Sequence, residues 1–208
     1  MTDLPSTDDV LRPLSDCLRI AIERARIGRS FRGLVVLTSV DDDTTQLMTE
    51  LRRKVGDTGI QLLDLSDPPH RAPTVALASR LHELLAVLAE TTPSDAPGGR
   101  PLVTDSCIDT PPRQSELATD LPDQLERVGL AARQAGTPIV IFLNDLDALD
   151  DGPLHSWLMA MHHIARRALP IVMVAVGSQR LPRRLGNMTP NSERLFQFVD
   201  LRKLDTAL

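Results

Sequence analysis

The chain is poor in cysteine and in aromatic residues, and it has no long apolar run. Its 208 residues include no tyrosine, one tryptophan, four phenylalanines and two cysteines, Cys17 and Cys107. Two cysteines are too few for a disulfide framework, and they lack the spacing of a structural zinc site. The scarce aromatic side chains leave little material for the stacking platforms of single-strand nucleic-acid-binding proteins. No stretch approaches the roughly 20 apolar residues that span a bilayer, so we expect no membrane segment.

An excess of basic charge is also missing. The formal net charge is −5 and the isoelectric point is near 5.5, whereas a dominant nucleic-acid surface usually shows as a basic excess. The polar, acidic start MTDLPSTDDV has neither the basic residues nor the apolar core of a secretory signal. We therefore expect a cytoplasmic protein whose length suits one α/β domain with a substantial core.

Strand-like and helix-like segments alternate along the sequence. Short apolar runs predict strands at residues 34–37, 60–65, 139–143, 171–176 and 196–201. Apolar residues at helical spacing predict helices at residues 11–27, 44–55, 74–90, 121–135 and 153–168. Apolar strands that alternate with helices indicate a parallel sheet flanked by helices. The predicted fold is therefore α/β, with the sheet as the middle of three layers.

The predicted organisation is an N-terminal helix within residues 1–30, followed by a core domain over residues 31–208. Residues 91–113 are rich in Pro, Gly, Ser, Thr and Asp, without apolar periodicity. Such composition is typical of an exposed loop. We predict a flexible insertion there, and the sequence leaves open whether it orders on binding a partner.

The segment PIVIFLNDLDALDD, residues 138–151, ends an apolar run in a group of acidic residues. It resembles a Walker B strand. In a P-loop ATPase, an Asp at the tip of that strand holds Mg²⁺, and the following Glu activates the attacking water. Asn144 and Asp145 stand at these two positions, so we expect both roles to be compromised.

The loop after the first predicted strand has the place of a phosphate-binding P-loop but not its residues. A P-loop reads G-x-x-x-x-G-K-[ST], because glycines let backbone N–H groups surround the phosphates and Lys neutralises them. The loop here has neither Gly nor Lys, and its polar residues are Ser39, Asp41, Asp42, Asp43, Thr44 and Thr45. A pair of like charges about 5 Å apart costs roughly 3 kcal/mol at an effective dielectric of about 20. Millimolar to micromolar binding amounts to only about 4 to 8 kcal/mol, so we expect no nucleotide cofactor.

Two interpretations of this acidic loop stay open. In the first, the loop is a solvated turn that caps the helix after it, with Thr44 or Thr45 as a capping residue. In the second, Asp43 meets Asp145 and Asp147 at the strand tips and holds a divalent cation, because hard oxygen ligands suit Mg²⁺ or Ca²⁺. The second interpretation would leave room for ATP with Mg²⁺ as a cofactor.

The order of motifs from residue 138 to residue 204 is similar to that of one family. After the Walker-B-like strand come HSWLMAMHHIARRALP, then PIVMVAVGSQRLPRRLG, then NSERLFQFVDL. With a weaker match over residues 33–51, this order resembles actinobacterial AAA-type ATP-binding proteins related to the origin-recognition and STAND-like ATPases. The resemblance implies an AAA-like P-loop core with degenerate Walker A and Walker B motifs. Because the sequence stops at Leu208, we expect the family's C-terminal lid and winged-helix domain to be absent.

The resemblance also implies roles for residues after the fourth predicted strand. Ser178 or Gln179 stands where related ATPases keep a polar sensor of the γ-phosphate, and Arg194 stands where an arginine can face nucleotide or a neighbouring subunit. A polar residue after a buried strand is also commonplace. Other arginines make this stretch locally basic and could pair with the acidic strand tips or contact a phosphate backbone. They are Arg180, Arg183 and Arg184.

The sequence favours a catalytically inactive AAA-like domain, a pseudo-ATPase, that regulates or scaffolds. We expect it to act as a homo-oligomer or bound to another protein. One alternative is a nucleotide-binding AAA ATPase or switch that uses atypical residues, such as the arginines from Arg180 to Arg194. Another is a DNA-associated accessory factor that works through the basic C-terminal third.

Overall fold

The structure of the chain is a computed structural model, which describes residues 7–39, 44–56, 60–65, 80–81, 83–88, 121–190 and 192–204. The helices are α1 (Thr7–Arg26), α2 (Thr45–Gly56), α3 (Leu121–Ala135), α4 (Asp151–Arg167), α5 (Leu181–Met188) and α6 (Leu201–Leu204). Residues 80–81 and 83–88 are also helical. The strands are β1 (Gly33–Thr38), β2 (Gln61–Asp64), β3 (Ile139–Leu143), β4 (Ile171–Ser178) and β5 (Phe196–Asp200). The predicted insertion at residues 91–113 and the acidic residues Asp41, Asp42 and Asp43 lie outside the described residues.

The five strands form one sheet in the order β2-β3-β4-β1-β5, and every neighbouring pair is parallel. All strands therefore end at one edge of the sheet, termed the carboxyl edge, and begin at the opposite edge, termed the amino edge. β4 lies between β1 and β3. Residues that follow β1, β4 and β3 are consequently neighbours at the carboxyl edge.

Apolar side chains cover both faces of the sheet, which confirms the predicted three-layer α/β architecture. Leu34, Val36 and Phe142 belong to a buried cluster with α1 and α2 on one face. Val35 and Ile141 belong to a second cluster with α3, α4 and α5 on the other face. Alternate residues of a strand point to opposite faces, so strands buried on both sides must be apolar throughout.

The N-terminal helix α1 is part of this core. It begins at Thr7, four residues before the predicted start, and its buried residues repeat at helical spacing, namely Leu11, Leu14, Leu18, Ala21, Ile22 and Ala25. Gly28, with φ of 65°, ends it in a conformation that glycine adopts at little cost. Neither α1 nor any other described helix has the length and apolar character needed to cross a membrane.

Helix α5 was not predicted from the sequence. It has only eight residues and a Pro in its first turn, and just Leu181 and Leu185 are buried. One apolar pair four residues apart is too short a pattern to stand out within a locally basic stretch. The helix packs Leu181 against the end of β4 and so shapes the carboxyl edge.

Candidate functional site

Asn144 follows β3 at the carboxyl edge, and its side-chain oxygen accepts a hydrogen bond from an arginine. Arg52 Nη2 donates to Asn144 Oδ1 over 2.7 Å, and Arg52 Nε lies 3.0 Å from Asp64 Oδ2. The guanidinium lies over the Phe142 ring, with its Cζ 5.3 Å from the ring centroid. Helical side chains lean toward the amino end of their helix, and the amino end of α2 faces the carboxyl edge. Arg52 therefore reaches the strand tips from the middle of α2.

The Arg52 guanidinium places a permanent positive charge at the position where a Walker B strand would hold Mg²⁺. Its side chain is only 17% exposed, so solvent screens it weakly. A metal ion would compete with this cation for the Asn144 oxygen and for the Asp64 carboxylate, both of which already contact Arg52. The residues present at this position therefore do not fit a magnesium ion.

Asp145, predicted to stand in place of a catalytic Glu, caps a turn with its carboxylate. Asp145 Oδ1 accepts hydrogen bonds from the backbone N–H groups of Asp147, over 2.9 Å, and of Ala148, over 3.2 Å. Such bonds from a side chain to the backbone two and three residues on are a common way of stabilising turns. The chain thus uses this acid to hold the loop between β3 and α4.

Asp147 joins that loop to the end of β4. Its Oδ2 accepts a hydrogen bond from the backbone N–H of Ser178. Gly177 immediately precedes Ser178. A Cβ at Gly177 would lie 3.3 Å from Asp147 Oδ2 and 2.3 Å from Leu181 Cδ2. Glycine therefore allows the loop, the strand end and α5 to approach closely.

The two sensor candidates also make internal contacts. Ser178 Oγ accepts a hydrogen bond from the backbone N–H of Arg180 over 3.2 Å. Gln179 Nε2 donates to Asp200 Oδ1 over 2.8 Å, which links the ends of β4 and β5. Asp200 Oδ1 also accepts from the backbone N–H of Arg202 over 3.2 Å. Ser178 Oγ thus stabilises the turn that follows β4, and Gln179 connects the ends of two strands.

Arg184 pairs with the loop between β3 and α4. Pairing with acidic strand tips was one of the outcomes considered for the basic stretch. It donates to the carbonyl oxygens of Asp147, over 3.1 Å, and of Leu149, over 2.7 Å. Its Nη2 also lies 2.7 Å from Asp151 Oδ1. Arg180 and Arg183 are exposed. Arg184 is therefore a structural clamp, and of the three arginines in the stretch from Arg180 to Arg184 only Arg180 and Arg183 stay exposed.

Arg194 lies at the amino edge, away from the other site candidates. It ends a 3-10 turn, Ser192–Arg194, just before β5, and Leu195 O accepts a hydrogen bond from the N–H of Gly33, the first residue of β1. The length of β1, roughly 16 Å at about 3.3 Å per residue, separates this end of the sheet from the carboxyl edge. The structure does not bring Arg194 together with Ser178 or Asn144.

The residues flanking the acidic loop are described, whereas its three aspartates are not. Thr45 begins α2, and Thr44 O accepts a hydrogen bond from Met48 N over 2.9 Å. Ser39 directly follows β1. In the part of the chain that the structure describes, no three His, Cys, Asp or Glu side chains form a group that could hold a metal ion. Because Asp43 lies outside that part, the hypothesis of a cation held by Asp43, Asp145 and Asp147 stays a prediction.

Arg52 is the site residue that sequence reasoning missed. The available signal was its spacing, because it follows buried Met48 by four residues and directly follows buried Leu51. A charged residue beside the apolar stripe of a helix can reach around the core. Which strand end it reaches follows only from the order of strands in the sheet.

No protein-family model and no curated protein matches this sequence. Among solved structures, the chain is similar to a chain in the structure of Drosophila ORC bound to poly(dA/dT) DNA and Cdc6 (conformation 1), with 13% sequence identity and a TM-score of 0.48. The match covers 97% of this chain and 33% of that chain, so this chain spans about a third of its neighbour's length. A likeness at this level concerns the course of the backbone and says nothing about site chemistry.

Proposed function

We propose that this chain is a catalytically inactive AAA-like domain, a pseudo-ATPase, that acts as a regulatory or scaffolding module. The observation that carries the proposal is the 2.7 Å hydrogen bond from Arg52 to Asn144. It gives the Walker-B-like position a neutral acceptor and an internal cation in place of a carboxylate and a metal ion. Phosphoryl transfer depends on such a metal to neutralise developing charge.

The other polar groups of the carboxyl edge support the same conclusion. A general base or sensor must be available to a water molecule or a phosphate. Here Asp145 holds two loop amides, Asp147 holds the Ser178 amide, and Gln179 holds Asp200. These bonds stabilise the edge as a rigid surface, which suits a binding module better than a catalyst.

A protein partner or a second copy of the chain is the expected ligand of this module. Two exposed isoleucines support this part of the proposal. Ile20 on α1 is 50% exposed, and Ile27, just after α1, is 62% exposed. Both offer apolar area to a partner.

Isothermal titration with ATP and ADP, with and without Mg²⁺ at moderate salt, tests the loss of nucleotide binding. We expect no heat up to millimolar nucleotide and no shift in melting temperature. A ligand at about 100 times its Kd would add about 2.7 kcal/mol to stability and would be readily seen. Micromolar binding, or ATP hydrolysis that disappears in the Asp145→Ala variant, would sink the proposal. That variant also serves as the control for a contaminating ATPase, whose activity it would leave unchanged.

A further inference from the structure

Arginine side chains gather at the amino edge of the sheet, opposite the site described above. Helices α1, α3 and α4 all end there, and the segments before β1 and β5 cross it. The following side chains are all exposed and are termed the arginine edge: Arg24, Arg26, Arg29, Arg32, Arg133, Arg166, Arg167 and Arg194.

Backbone contacts hold several of these arginines close together. Arg29 N donates to Arg24 O over 2.8 Å where the chain turns after α1. Arg32 immediately precedes β1, and Arg194 lies two residues before the start of β5, the neighbouring strand. Neighbouring strands are about 4.8 Å apart. Arg32 and Arg194 therefore lie near each other at the amino edge, each just before the start of its strand.

A cleft of about 320 Å³ continues the arginine edge beneath the sheet. It runs under the starts of β3 and β4, past Pro138 and Pro170, with Arg26 on the α1 side and Arg133 on the α3 side. Arg133 Nη2 donates to Arg167 O over 2.6 Å, which ties the end of α4 to the same wall. The positive charges thus extend across both helical layers.

Few acidic side chains offset this charge. Among the described residues, Glu23 pairs with Arg26 over 3.0 Å, and Glu126 pairs with Arg167 and with His163. Within the same part of the chain, no ion pair involves the side chains of Arg24, Arg29, Arg32, Arg166 or Arg194. A chain of net charge −5 therefore presents one edge that is locally positive.

The simplest explanation for arginines at helix ends is the helix dipole, which favours cations near C-terminal carbonyl groups. The helix dipole explains Arg133, which lies in the last turn of α3. Its Nη2 donates to the carbonyl oxygens of Arg167 and Ala168 at the end of α4. The dipole also covers Arg29, whose backbone N–H donates to the Arg24 carbonyl oxygen in the turn that ends α1. It does not extend to Arg32 or Arg194, which precede strands and lie outside the α-helices.

We propose that the arginine edge binds the phosphate backbone of a double-stranded nucleic acid. Guanidinium groups donate paired hydrogen bonds to phosphate oxygens, and a duplex presents closely spaced phosphates to a surface that carries several such groups. Phe31, between Arg29 and Arg32, packs against the α1–α2 core cluster, so it does not form an exposed platform for bases. Binding through phosphates alone is indifferent to sequence.

A second copy of the chain is a less suitable partner for this edge. Four of its described acids at the carboxyl edge already accept internal hydrogen bonds, namely Asp145, Asp147, Asp151 and Asp200. The proposal goes beyond the proposed function and does not depend on it, because it rests on the arginines of the amino edge and not on the loss of catalytic groups at the carboxyl edge.

Fluorescence anisotropy with a mixed-sequence DNA duplex of about 20 base pairs tests the proposal. If about four phosphates are neutralised, the affinity falls with a log–log salt slope of about −3.6, or about 150-fold between 50 and 200 mM KCl. We expect the double variant Arg29→Glu, Arg32→Glu to bind at least about tenfold more weakly at 50 mM salt. The matched control Arg180→Glu, Arg183→Glu makes the same change in net charge at the carboxyl edge, and it should bind like the unaltered chain.

Three results would overturn the proposal. The first is no binding at 50 mM KCl, and the second is an equal loss of affinity in the two charge-reversal variants. The third is that polyglutamate displaces the labelled duplex as effectively as unlabelled DNA of equal charge. The last result would assign the edge to an acidic protein segment. The conservative variant Arg29→Lys, Arg32→Lys should retain most of the binding and separates a charge effect from misfolding. Circular dichroism of every variant checks that the fold is intact.

Discussion

Arg52 and Asn144 are 92 residues apart in sequence, and a 2.7 Å hydrogen bond joins them at the end of β3. Asp64, at the end of β2, lies 3.0 Å from the same guanidinium. The arginine charge is thus balanced by an aspartate, and the neutral Asn144 accepts a hydrogen bond from the same guanidinium. This arrangement balances the Arg52 charge within the protein, and it predicts a structural role for Arg52.

Replacing Arg52 by methionine tests that role. The apolar stem can still pack near Phe142, but the bonds to Asn144 and Asp64 are lost. We expect the free energy of unfolding to fall by about 1 to 3 kcal/mol, the usual range for a partly buried charged hydrogen bond. Urea denaturation measures the change. Lys54→Met, on an exposed side of the same helix, should stay within about 0.5 kcal/mol. Equal effects of the two variants would contradict the assigned role.

The Arg184 clamp gives a second prediction. Arg184→Met removes donors from the Asp147 and Leu149 carbonyl oxygens and from Asp151, so we expect a loss of about 1 to 3 kcal/mol. Hydrogen exchange of the loop between β3 and α4 should also become faster. Arg183→Met is the matched control, because that side chain is exposed on the same helix. Unchanged loop exchange in Arg184→Met would show that the clamp is not needed.

Gly177 gives a third prediction. Gly177→Ala would place a Cβ 2.3 Å from Leu181 Cδ2 and 3.3 Å from Asp147 Oδ2, and Leu181 is fully buried. Such overpacking costs about 1 to 3 kcal/mol, measured as a lower melting temperature. Gly186→Ala in α5 meets nothing within 4 Å and should stabilise the chain by about 0.5 to 1 kcal/mol, as alanine does in helices. Similar shifts in both variants would refute the close packing at Gly177.

Asp145 distinguishes a turn cap from a catalytic acid. Asp145→Ala removes the acceptor for the Asp147 and Ala148 amides, and we expect a loss of about 0.5 to 2 kcal/mol, as for other capping side chains. Asp145→Asn keeps one side-chain oxygen and should lose less than half of that. Thermal denaturation of both variants gives the comparison. Unchanged stability in both, together with lost ATP hydrolysis, would identify Asp145 as a catalytic residue instead.

The strands were the most predictable elements, because β1, β3 and β4 are buried on both faces and their residues are apolar throughout. The position of Asn144 and Asp145 at a strand tip followed from the same pattern. Helix α5 was missed because its apolar pattern is a single pair. Arg194 was grouped with Ser178 because sequence order cannot show that the chain returns to the amino edge before β5.

The sequence by itself determined that this chain forms a parallel α/β sheet, that the loop after its first strand has no Lys or Gly, and that its third strand is followed by Asn144. Local patterns suffice for such conclusions, because burial on two faces and phosphate binding each demand particular residue types at short spacing. Only the tertiary structure decided which groups meet. Arg52 reaches Asn144, Gln179 reaches Asp200, and the arginine edge forms because strand order and helix direction bring distant segments to the same end of the sheet.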